Sequence, residues 1–357
     1  MLIIRADGNA KIGAGHLMRC LTIARAVERR GGSEILFLCA DEDSAGMVRA
    51  HGFRAEVLCT DYRDMESELW ADAGHTSGSR PRRKKANVKN MWDLWITKSR
   101  NCILVDSYYV TDSYLEGLGR YGKVYLLDDL QSQAHSADGI INYNLFADRE
   151  VYARLYEGKS VELYLGSDFV PLRQQFQNVD YHVRDAVREV LLTTGGGDVE
   201  NIAGKILDAI YRENIIFHVL VGRFSPHFES WRKRVEQTPN LQIHFDVQNM
   251  AELMEKCDLA ITAGGSTVYE FASVGVPFIC FSYAENQEAL VEYIGRKNVA
   301  ASAGAWHRDV VSTLEHMGSL FTNLCGDTAL RRQYSDRERR LIDGQGAERL
   351  AEILRET

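Results

Sequence analysis

The sequence predicts an α/β protein made of two Rossmann-like domains whose parallel sheets face a cleft. Three observations indicate this fold class. Short apolar strands alternate with helical segments, the alternation begins a second time at residue 187, and glycine-rich turns directly follow several strands. Such alternation is typical of βαβ units. A chain of 357 residues with 45% hydrophobic residues is also long enough for two separate cores.

The first half of the chain contains the first series of strands. A helical segment follows the first strand, and its residues Leu17, Leu21, Ala24 and Val27 fall on one helix face. The strands of this half are predicted at 2–5, 34–38, 55–58, 102–105 and 124–127.

The second half repeats the pattern, with helical segments at 202–211 and 268–273. A polar stretch with a proline interrupts the alternation at 166–185, so we place the joint there and predict domains at 1–166 and 167–357. The strands of the second series are predicted at 187–193, 216–221, 242–245, 259–261 and 278–281.

A glycine-rich turn with a histidine connects the first strand to the first helix. Ligands of open α/β sheets bind at the carboxyl ends of strands. We expect Gly13 and Gly15 to take positive φ and approach a bound molecule, with His16 as the titratable group of the turn. An imidazole can act as a base near neutral pH. The alternative is a tight connection in which His16 only caps the helix.

A second glycine turn follows the strand at 259–261. The amides of Gly264, Gly265, Ser266 and Thr267 and the two hydroxyls form a candidate cradle for a pyrophosphate at a helix start. Glu270, one turn later, is a candidate acceptor for two ribose hydroxyls. Phosphate and ribose together indicate a nucleoside diphosphate. The alternative is that Ser266 and Glu270 form a capping pair.

Further polar residues follow neighbouring strands. Gly196 belongs to a third glycine turn placed to close over phosphate or sugar, and Asn286 and Gln287 offer amides for sugar hydroxyl or acetamido groups. Asp106 and Tyr108 follow a strand on the same edge as His16, so either is a candidate to orient His16 or bind the sugar. Each has a structural alternative as a turn, a helix cap or a core residue. Their convergence at strand ends favours a binding site.

Composition excludes several classes of protein. A net charge of -8 argues against a nucleic-acid binder, which needs a basic face. We see no signal peptide and no apolar run that spans a membrane, and the seven cysteines show no C-x-x-C spacing, so we expect buried thiols in a cytoplasmic protein. The histidines show no metal-ligand spacing, and we expect no metal site and no cofactor.

A basic run at 78–85 departs from the pattern. It contains three arginines and two lysines and precedes Trp92 and Trp95. A solvated surface insertion is the simpler interpretation in an acidic protein, and contact with a nucleic acid or an anionic surface is the alternative.

At this point the chain resembles a known family, the UDP-sugar hydrolases of pseudaminic acid biosynthesis with the related SpsG-type proteins. These share the two-domain glycosyltransferase-B architecture with MurG. The resemblance runs in order along essentially the whole chain. The residues that carry it are IRAD at 4–7, IGAGHLMRCL at 12–21, VDSY at 105–108, LDD at 127–129, the segment 166–176 with Arg173, GGGD at 195–198, GGST at 264–267 with Glu270, and ENQ at 285–287.

The resemblance implies hydrolysis of a UDP-linked 2,4-diacetamido-2,4,6-trideoxy sugar, the L-altrose derivative, with release of UDP. It implies that His16 is the base, that Tyr108 and Asn286 are catalytic, that the turn at 264–267 with Glu270 holds UDP, and that Arg173 is a substrate-binding residue. UDP is a good leaving group, so the remaining requirement is a base that activates water, with inversion at the anomeric carbon and no metal. Ser107 stands where a histidine is frequent in the family, which affects the sugar more than the reaction.

Three other interpretations remain open. A glycosyltransferase of the same architecture differs only in whether water or an acceptor enters the cleft. A UDP-sugar 2-epimerase needs further acid and base groups around the sugar. A non-catalytic module would bind a nucleotide-sugar without turnover. The sequence gives no prediction of the oligomeric state.

Overall fold

The structure is a computed structural model of the chain, and two compact units make up the fold. One unit is Met1–Pro171 together with Gly346–Thr357, and the other is Leu172–Gln345. The residues that the structure describes are 1–9, 12–31, 33–69, 92, 101–195, 198–222, 225–245 and 247–355.

The first unit contains a seven-stranded sheet in the order β3-β2-β1-β4-β5-β6-β7, and all of its strand pairs are parallel. The chain moves outward from β1 in one direction and then returns to place β4 on its other side. The switch point of this sheet is therefore the pair β1 and β4. The strands are β1 (Leu2–Ala6), β2 (Ile35–Cys39), β3 (Arg54–Val57), β4 (Asn101–Asp106), β5 (Gly122–Leu127), β6 (Gly139–Asn142) and β7 (Glu162–Leu165).

In the described part of this unit four α-helices connect the strands, and three of them begin at a side-chain cap. Asp41, Thr111 and Asp148 each accept a hydrogen bond from an amide of the helix that follows. Trp92 is fully buried in the core of this unit and stacks on Tyr121. The helices are α1 (Gly15–Arg30), α2 (Glu42–Ala50), α3 (Asp112–Leu118) and α4 (Arg149–Leu155).

The second unit contains a six-stranded parallel sheet in the order β10-β9-β8-β11-β12-β13, with its switch point between β8 and β11. Its strands are β8 (Glu189–Thr193), β9 (Ile216–Leu220), β10 (Leu241–His244), β11 (Leu259–Ala263), β12 (Phe278–Ser282) and β13 (Ala301–Ala305). Its helices are α5 (Ile202–Ile210), α6 (Phe228–Gln237), α7 (Met250–Lys256), α8 (Thr267–Val274), α9 (Glu285–Arg296), α10 (Val310–Gly326) and α11 (Thr328–Leu341).

The predicted fold class, two Rossmann-like α/β domains with parallel sheets, is confirmed. Every strand predicted from the alternation exists, with ends that differ by one or two residues. Three strands were not predicted, namely β6, β7 and β13.

The predicted domain limits need two corrections. The boundary lies between Pro171 and Leu172 rather than between 166 and 167, and the last helix, α12 (Gly346–Arg355), belongs to the first unit. It packs on α1, with Leu350 buried and Glu348 paired with Arg29 and Arg30. Assigning 346–357 to the second domain was wrong because that prediction followed chain order and not packing.

The prediction that the cysteines are buried is correct for most of them, and several other predictions fall outside the described residues. Five of the seven cysteines are buried, but Cys59, which follows β3, is exposed, and Cys325 is half-buried. The basic run at 78–85, Trp95 and Gly196 lie outside the described residues. Among the residues that are described, none of the helices has the length and apolar character needed to cross a bilayer.

Candidate functional site

His16 lies at the switch point of the first sheet. It is the second residue of α1, which follows β1, and the carboxyl end of neighbouring β4 brings Asp106 beside it. Ala14, the N-cap residue of α1, makes no side-chain cap. The proposed alternative, in which His16 only caps the helix, is not what the structure contains, since the ring contacts another strand.

The His16 ring is bonded to a buried carboxylate. Nδ1 of His16 lies 2.6 Å from Oδ1 of Asp106, and the two side chains are 12% and 0% exposed. Burial alone would raise the pKa of Asp106, but the charge of Arg19 and hydrogen bonds from Arg19 and His16 hold it well below its ordinary value. An ionised carboxylate only accepts hydrogen bonds. Nδ1 therefore carries the hydrogen, and Nε2 is the basic nitrogen of the neutral ring.

Arg19 binds both oxygens of the same carboxylate. Its Nε donates to Oδ2 of Asp106 at 2.6 Å and its Nη2 donates to Oδ1 at 2.5 Å. The other end of the guanidinium contacts Asp129 at 2.8 Å and the Tyr143 hydroxyl at 2.8 Å. Arg19 lies within the motif at 12–21, and no role was predicted for it. Its spacing of three residues from His16 on one helix face is the signal that could have identified it.

Tyr108 packs on the other side of the histidine. The two rings meet edge to face, with centroids 4.5 Å apart, and the Tyr108 hydroxyl donates to Asp129 at 3.4 Å. Burial, and then the Asp129 carboxylate, raise the pKa of Tyr108 to about 12. The phenol is thus neutral near pH 7, although the side chain is 53% exposed.

Only one of the two glycines in the turn before His16 has a positive φ. Gly13 has φ +77° and its amide donates to the carbonyl of Asn9 at 2.8 Å. Gly15 begins α1 and is not among the positive-φ glycines, so the expectation of positive φ at Gly15 was wrong. A Cβ at Gly15 would meet nothing within 4 Å, which leaves open space beside His16.

Two further tyrosines were not found from the sequence. Tyr62 and Tyr109 meet edge to face, with ring centroids 5.6 Å apart, and both line the pocket that contains His16 and Tyr108. The sequence places Tyr62 after β3, far from the glycine motif, and only the packing brings it to the pocket.

The glycine turn at 264–267 lies at the switch point of the second sheet. Gly264 is closely packed, since a Cβ there would lie 2.5 Å from Val291 of α9, whereas Gly265 faces open space. Ser266 has helical backbone angles and makes no side-chain cap, so the alternative of a capping pair with Glu270 is not observed. Within the described chain, the amides of Ser266 and Thr267 have no hydrogen-bond acceptor. They are free to bind an anion.

Glu270 is held by Arg173. Nη2 of Arg173 donates to Oε1 of Glu270 at 3.0 Å, and the carboxylate is 16% exposed. Burial raises the pKa of Glu270, and the Arg173 charge opposes that rise. Both residues had been predicted to bind substrate, but their pairing had not. Arg173 uses Oε1, which leaves Oε2 of Glu270 to accept a hydroxyl hydrogen.

The remaining predicted residues of the second unit flank this turn. Asn286 is exposed on the first turn of α9, and Gln287 accepts from the Tyr283 amide at 3.1 Å through Oε1. Gly195 has φ +88° at the end of β8, and Asp198 of the same turn binds the first amides of α5. Gly196, which was predicted to bind substrate, lies between them outside the described residues.

The predicted site residues therefore form two groups. His16, Asp106 and Tyr108 are in contact in the first unit, and Arg173, Glu270 and the turn at 264–267 lie at one sheet edge in the second. In the described part of the chain, there is no group of three or more histidine, cysteine or acidic side chains that could hold a metal ion.

One protein family model matches part of the second unit. Residues 190–316 match the model of the glycosyltransferase family 28 C-terminal domain. The match begins in β8 and ends in α10, so it includes the glycine turn, Glu270 and Gln287.

Two curated proteins are similar to the chain. The spore coat polysaccharide biosynthesis protein SpsG of Bacillus subtilis is 30% identical over 62% of this chain and 65% of its own length. The UDP-2,4-diacetamido-2,4,6-trideoxy-beta-L-altropyranose hydrolase of Campylobacter jejuni is 21% identical over 83% of this chain and 96% of its own. The chain thus matches less than two thirds of SpsG.

Solved structures share the fold. The crystal structure of Acinetobacter baumannii MurG superposes with a TM-score of 0.63 at 13% identity, covering 100% of this chain and 99% of the other. The comparisons confirm the predicted resemblance: the relatives of this chain include SpsG and a UDP-sugar hydrolase, and its fold is the two-domain glycosyltransferase-B fold.

Proposed function

We propose that this protein hydrolyses a UDP-linked 2,4-diacetamido-2,4,6-trideoxyhexose at the anomeric carbon and releases UDP and the free sugar. The observation that carries the proposal is the 2.6 Å hydrogen bond between Nδ1 of His16 and Asp106. It leaves Nε2 to accept a proton. The name of the Campylobacter relative supports the substrate class.

In this proposal the second unit binds the nucleotide. The free amides of Ser266 and Thr267, at the start of α8, bind the diphosphate and stabilise the charge that develops as UDP leaves. Glu270 accepts a ribose hydroxyl through Oε2, with Arg173 fixing the carboxylate. Asn286, Gln287 and the turn that includes Gly196 contribute sugar and phosphate contacts.

The first unit supplies the base. A water molecule attacks the anomeric carbon on the face opposite UDP while His16 Nε2 takes its proton. Asp106 then stabilises the imidazolium that forms, and Tyr108 orients the ring through its edge contact. The product is the anomer opposite to that of the substrate. UDP leaves as a stabilised anion, so the proposal assigns no metal ion to the reaction.

A transferase is the second candidate, because the family model matched by residues 190–316 is that of a glycosyltransferase domain. The two candidates differ in what attacks the anomeric carbon. A transferase requires an acceptor hydroxyl, whereas a hydrolase requires only water.

The test is release of UDP from purified protein in the presence of excess EDTA. The substrates are UDP-2,4-diacetamido-2,4,6-trideoxy-β-L-altrose and UDP-N-acetylglucosamine, each with and without a sugar acceptor. We expect acceptor-free release from the first substrate, with the inverted anomer as the first NMR signal. Release that requires an acceptor would establish the transferase, and binding without release would establish the non-catalytic module.

A further inference from the structure

The buried carboxylate of Asp106 would by itself favour the protonated form of His16, which cannot act as a base. A carboxylate close to an imidazole favours the charged imidazolium, and the effect is strong where water is excluded. Asp106 is fully buried and its pKa is held low, so it is a permanent negative charge 2.6 Å from the ring. An imidazolium cannot accept a proton from water.

Arg19 is placed to cancel that charge. Its Nε and Nη2 hold the two oxygens of Asp106 side-on, at 2.6 Å and 2.5 Å. This is the planar two-bond geometry that arginine provides and lysine does not. Nη2 also lies 3.1 Å from Nδ1 of His16. Since both nitrogens carry hydrogens, that approach brings positive charge against the ring and disfavours a second positive charge there.

The guanidinium is itself fixed in place. Nη1 contacts Asp129 at 2.8 Å and the Tyr143 hydroxyl at 2.8 Å. Burial alone would lower the pKa of Arg19, but Asp106, Tyr143 and Asp129 raise it well above its ordinary value. Arg19 is therefore charged at every pH at which the enzyme is folded, and it cannot rotate away without breaking four hydrogen bonds.

We infer that Arg19 is a positioning residue that keeps His16 neutral, and so available as a base, by balancing the charge of Asp106. The inference rests on the proposed role of His16 as the base. Several ionisable groups of the described residues surround the ring. Those are Asp106 and Cys20 on the carboxylate side, Tyr108 against the ring edge, Asp7, Tyr62 and Tyr109 in the same pocket, and Asp129 and Tyr143 behind Arg19.

The test compares Arg19→Gln with Arg19→Lys in the full chain. The first readout is the midpoint of the His16 ring titration by NMR without substrate, with the signal identified by its loss in His16→Gln. The second is the pH profile of kcat/KM. For Arg19→Gln we expect the midpoint and the acid limb to move up by about one pH unit, a tenfold change in the protonation equilibrium. Arg19→Lys keeps the charge, so most of the shift is expected to be absent.

Asp129→Asn provides a second test that does not disturb the buried carboxylate. Asp129 is 17% exposed and shares Arg19 with Asp106. Its neutralisation leaves the ring in a more positive environment, so the midpoint is expected to fall. If Arg19→Gln does not fold, Asp129→Asn still tests whether the charge balance around Arg19 sets the titration midpoint of His16. A midpoint that is unchanged or higher in Asp129→Asn would overturn the inference.

A uniform loss of rate in Arg19→Gln at all pH values, with an unchanged midpoint, would show that Arg19 only supports the structure. The titration does not depend on turnover. If the midpoints move as expected but wild-type protein releases no UDP, the proposed function fails while the charge balance stands. If UDP is released and the midpoints do not move, the inference about Arg19 fails alone.

Discussion

The chemistry of single side chains in the first unit depends on one carboxylate. Asp106 accepts from His16 and Arg19, and it is buried at the end of β4. Tyr108 adds a ring edge and a neutral hydroxyl. In the proposed mechanism these three side chains have different roles: His16 exchanges protons, Arg19 carries a fixed charge, and Tyr108 packs against the His16 ring.

Tyr108→Phe tests that division of roles. The pKa of Tyr108 is raised to about 12, so its hydroxyl does not ionise below about pH 10. We expect Tyr108→Phe to retain wild-type kcat within about tenfold. The alkaline limb of its pH profile of kcat should match that of wild type up to pH 10. Tyr108→Ala, which also removes the ring, is expected to lose more activity. An alkaline limb that disappears in Tyr108→Phe would show that the hydroxyl takes part in proton transfer.

At this scale, contacts between residues at the ends of neighbouring strands are easier to predict from the sequence than contacts made by long side chains. His16, Asp106 and Tyr108 follow strands whose adjacency is predictable, and the structure brings them together. The pairs of Arg19 with Asp106 and of Arg173 with Glu270 join residues 87 and 97 positions apart. Such contacts depend on side-chain reach across the fold, which no local pattern encodes.

At the scale of elements, the proposed nucleotide site depends on the start of α8. Some helices of this unit begin at a side-chain cap, such as Asn249 before α7 and Asp309 before α10, whereas α6, α8 and α9 do not. α8 has none, so its first amides remain available. Glu270 lies one turn in and is oriented by Arg173.

Glu270→Gln is expected to weaken UDP binding about tenfold, because a hydrogen bond to a charged group contributes about 1.5 kcal/mol. Isothermal titration with UDP measures the effect. Glu252→Gln, at an exposed glutamate in the first turn of α7, is the matched control and should bind as wild type. Equal affinity of Glu270→Gln and Glu252→Gln would remove Glu270 from the ribose site.

α11 carries a buried glutamate that makes stability depend on pH. Burial raises the pKa of Glu338 well above its ordinary value, more than Arg339 lowers it. In the unfolded chain the Glu338 carboxyl loses its proton near pH 4.3, whereas in the folded protein it does so only at a higher pH. Ionisation of Glu338 therefore lowers the free energy of unfolding as the pH rises from about 4.3 to the pKa of the folded state.

Glu338→Gln removes that dependence. We expect the variant to have a higher Tm than wild type at pH 7.5, by an amount that shrinks toward pH 4, since each unit of pKa difference corresponds to about 1.4 kcal/mol. Glu315→Gln on the exposed side of α10 is the control. A Tm difference that is the same at pH 4 and pH 7.5 would contradict the raised pKa.

The unpredicted elements have recognisable physical causes. β6 and β7 are four residues long, and β13 (Ala301–Ala305) has only small side chains, so none gives a strong apolar signal. Long alternating segments such as β1 with α1 were predictable because their periodicity extends over many residues.

At the scale of the whole molecule, the chain does not divide into two consecutive halves. α12 comes after the second unit but packs on α1 of the first, with Leu350 fully buried and Glu348 bonded to Arg30 at 3.0 Å. The fold of the first unit is therefore complete only when the last helix has been made.

Leu350→Ala is expected to destabilise the first unit by about 2–5 kcal/mol, the usual cost of removing a buried leucine side chain. UDP affinity should remain that of wild type, since the proposed nucleotide site lies in the second unit. Thermal unfolding with and without UDP measures both effects, and Glu352→Ala, at an exposed position of the same helix, is the control. A loss of UDP affinity in Leu350→Ala would contradict the assignment of α12 to the first unit alone.

The central proposal is that His16 activates a water molecule for attack on the anomeric carbon of a UDP-sugar. The most direct test measures acceptor-free UDP release and UDP affinity together in wild type and His16→Phe. We predict that the variant loses at least about 100-fold in kcat, the usual contribution of a general base, and keeps UDP affinity within about twofold. UDP release by His16→Phe at the wild-type rate would contradict the account.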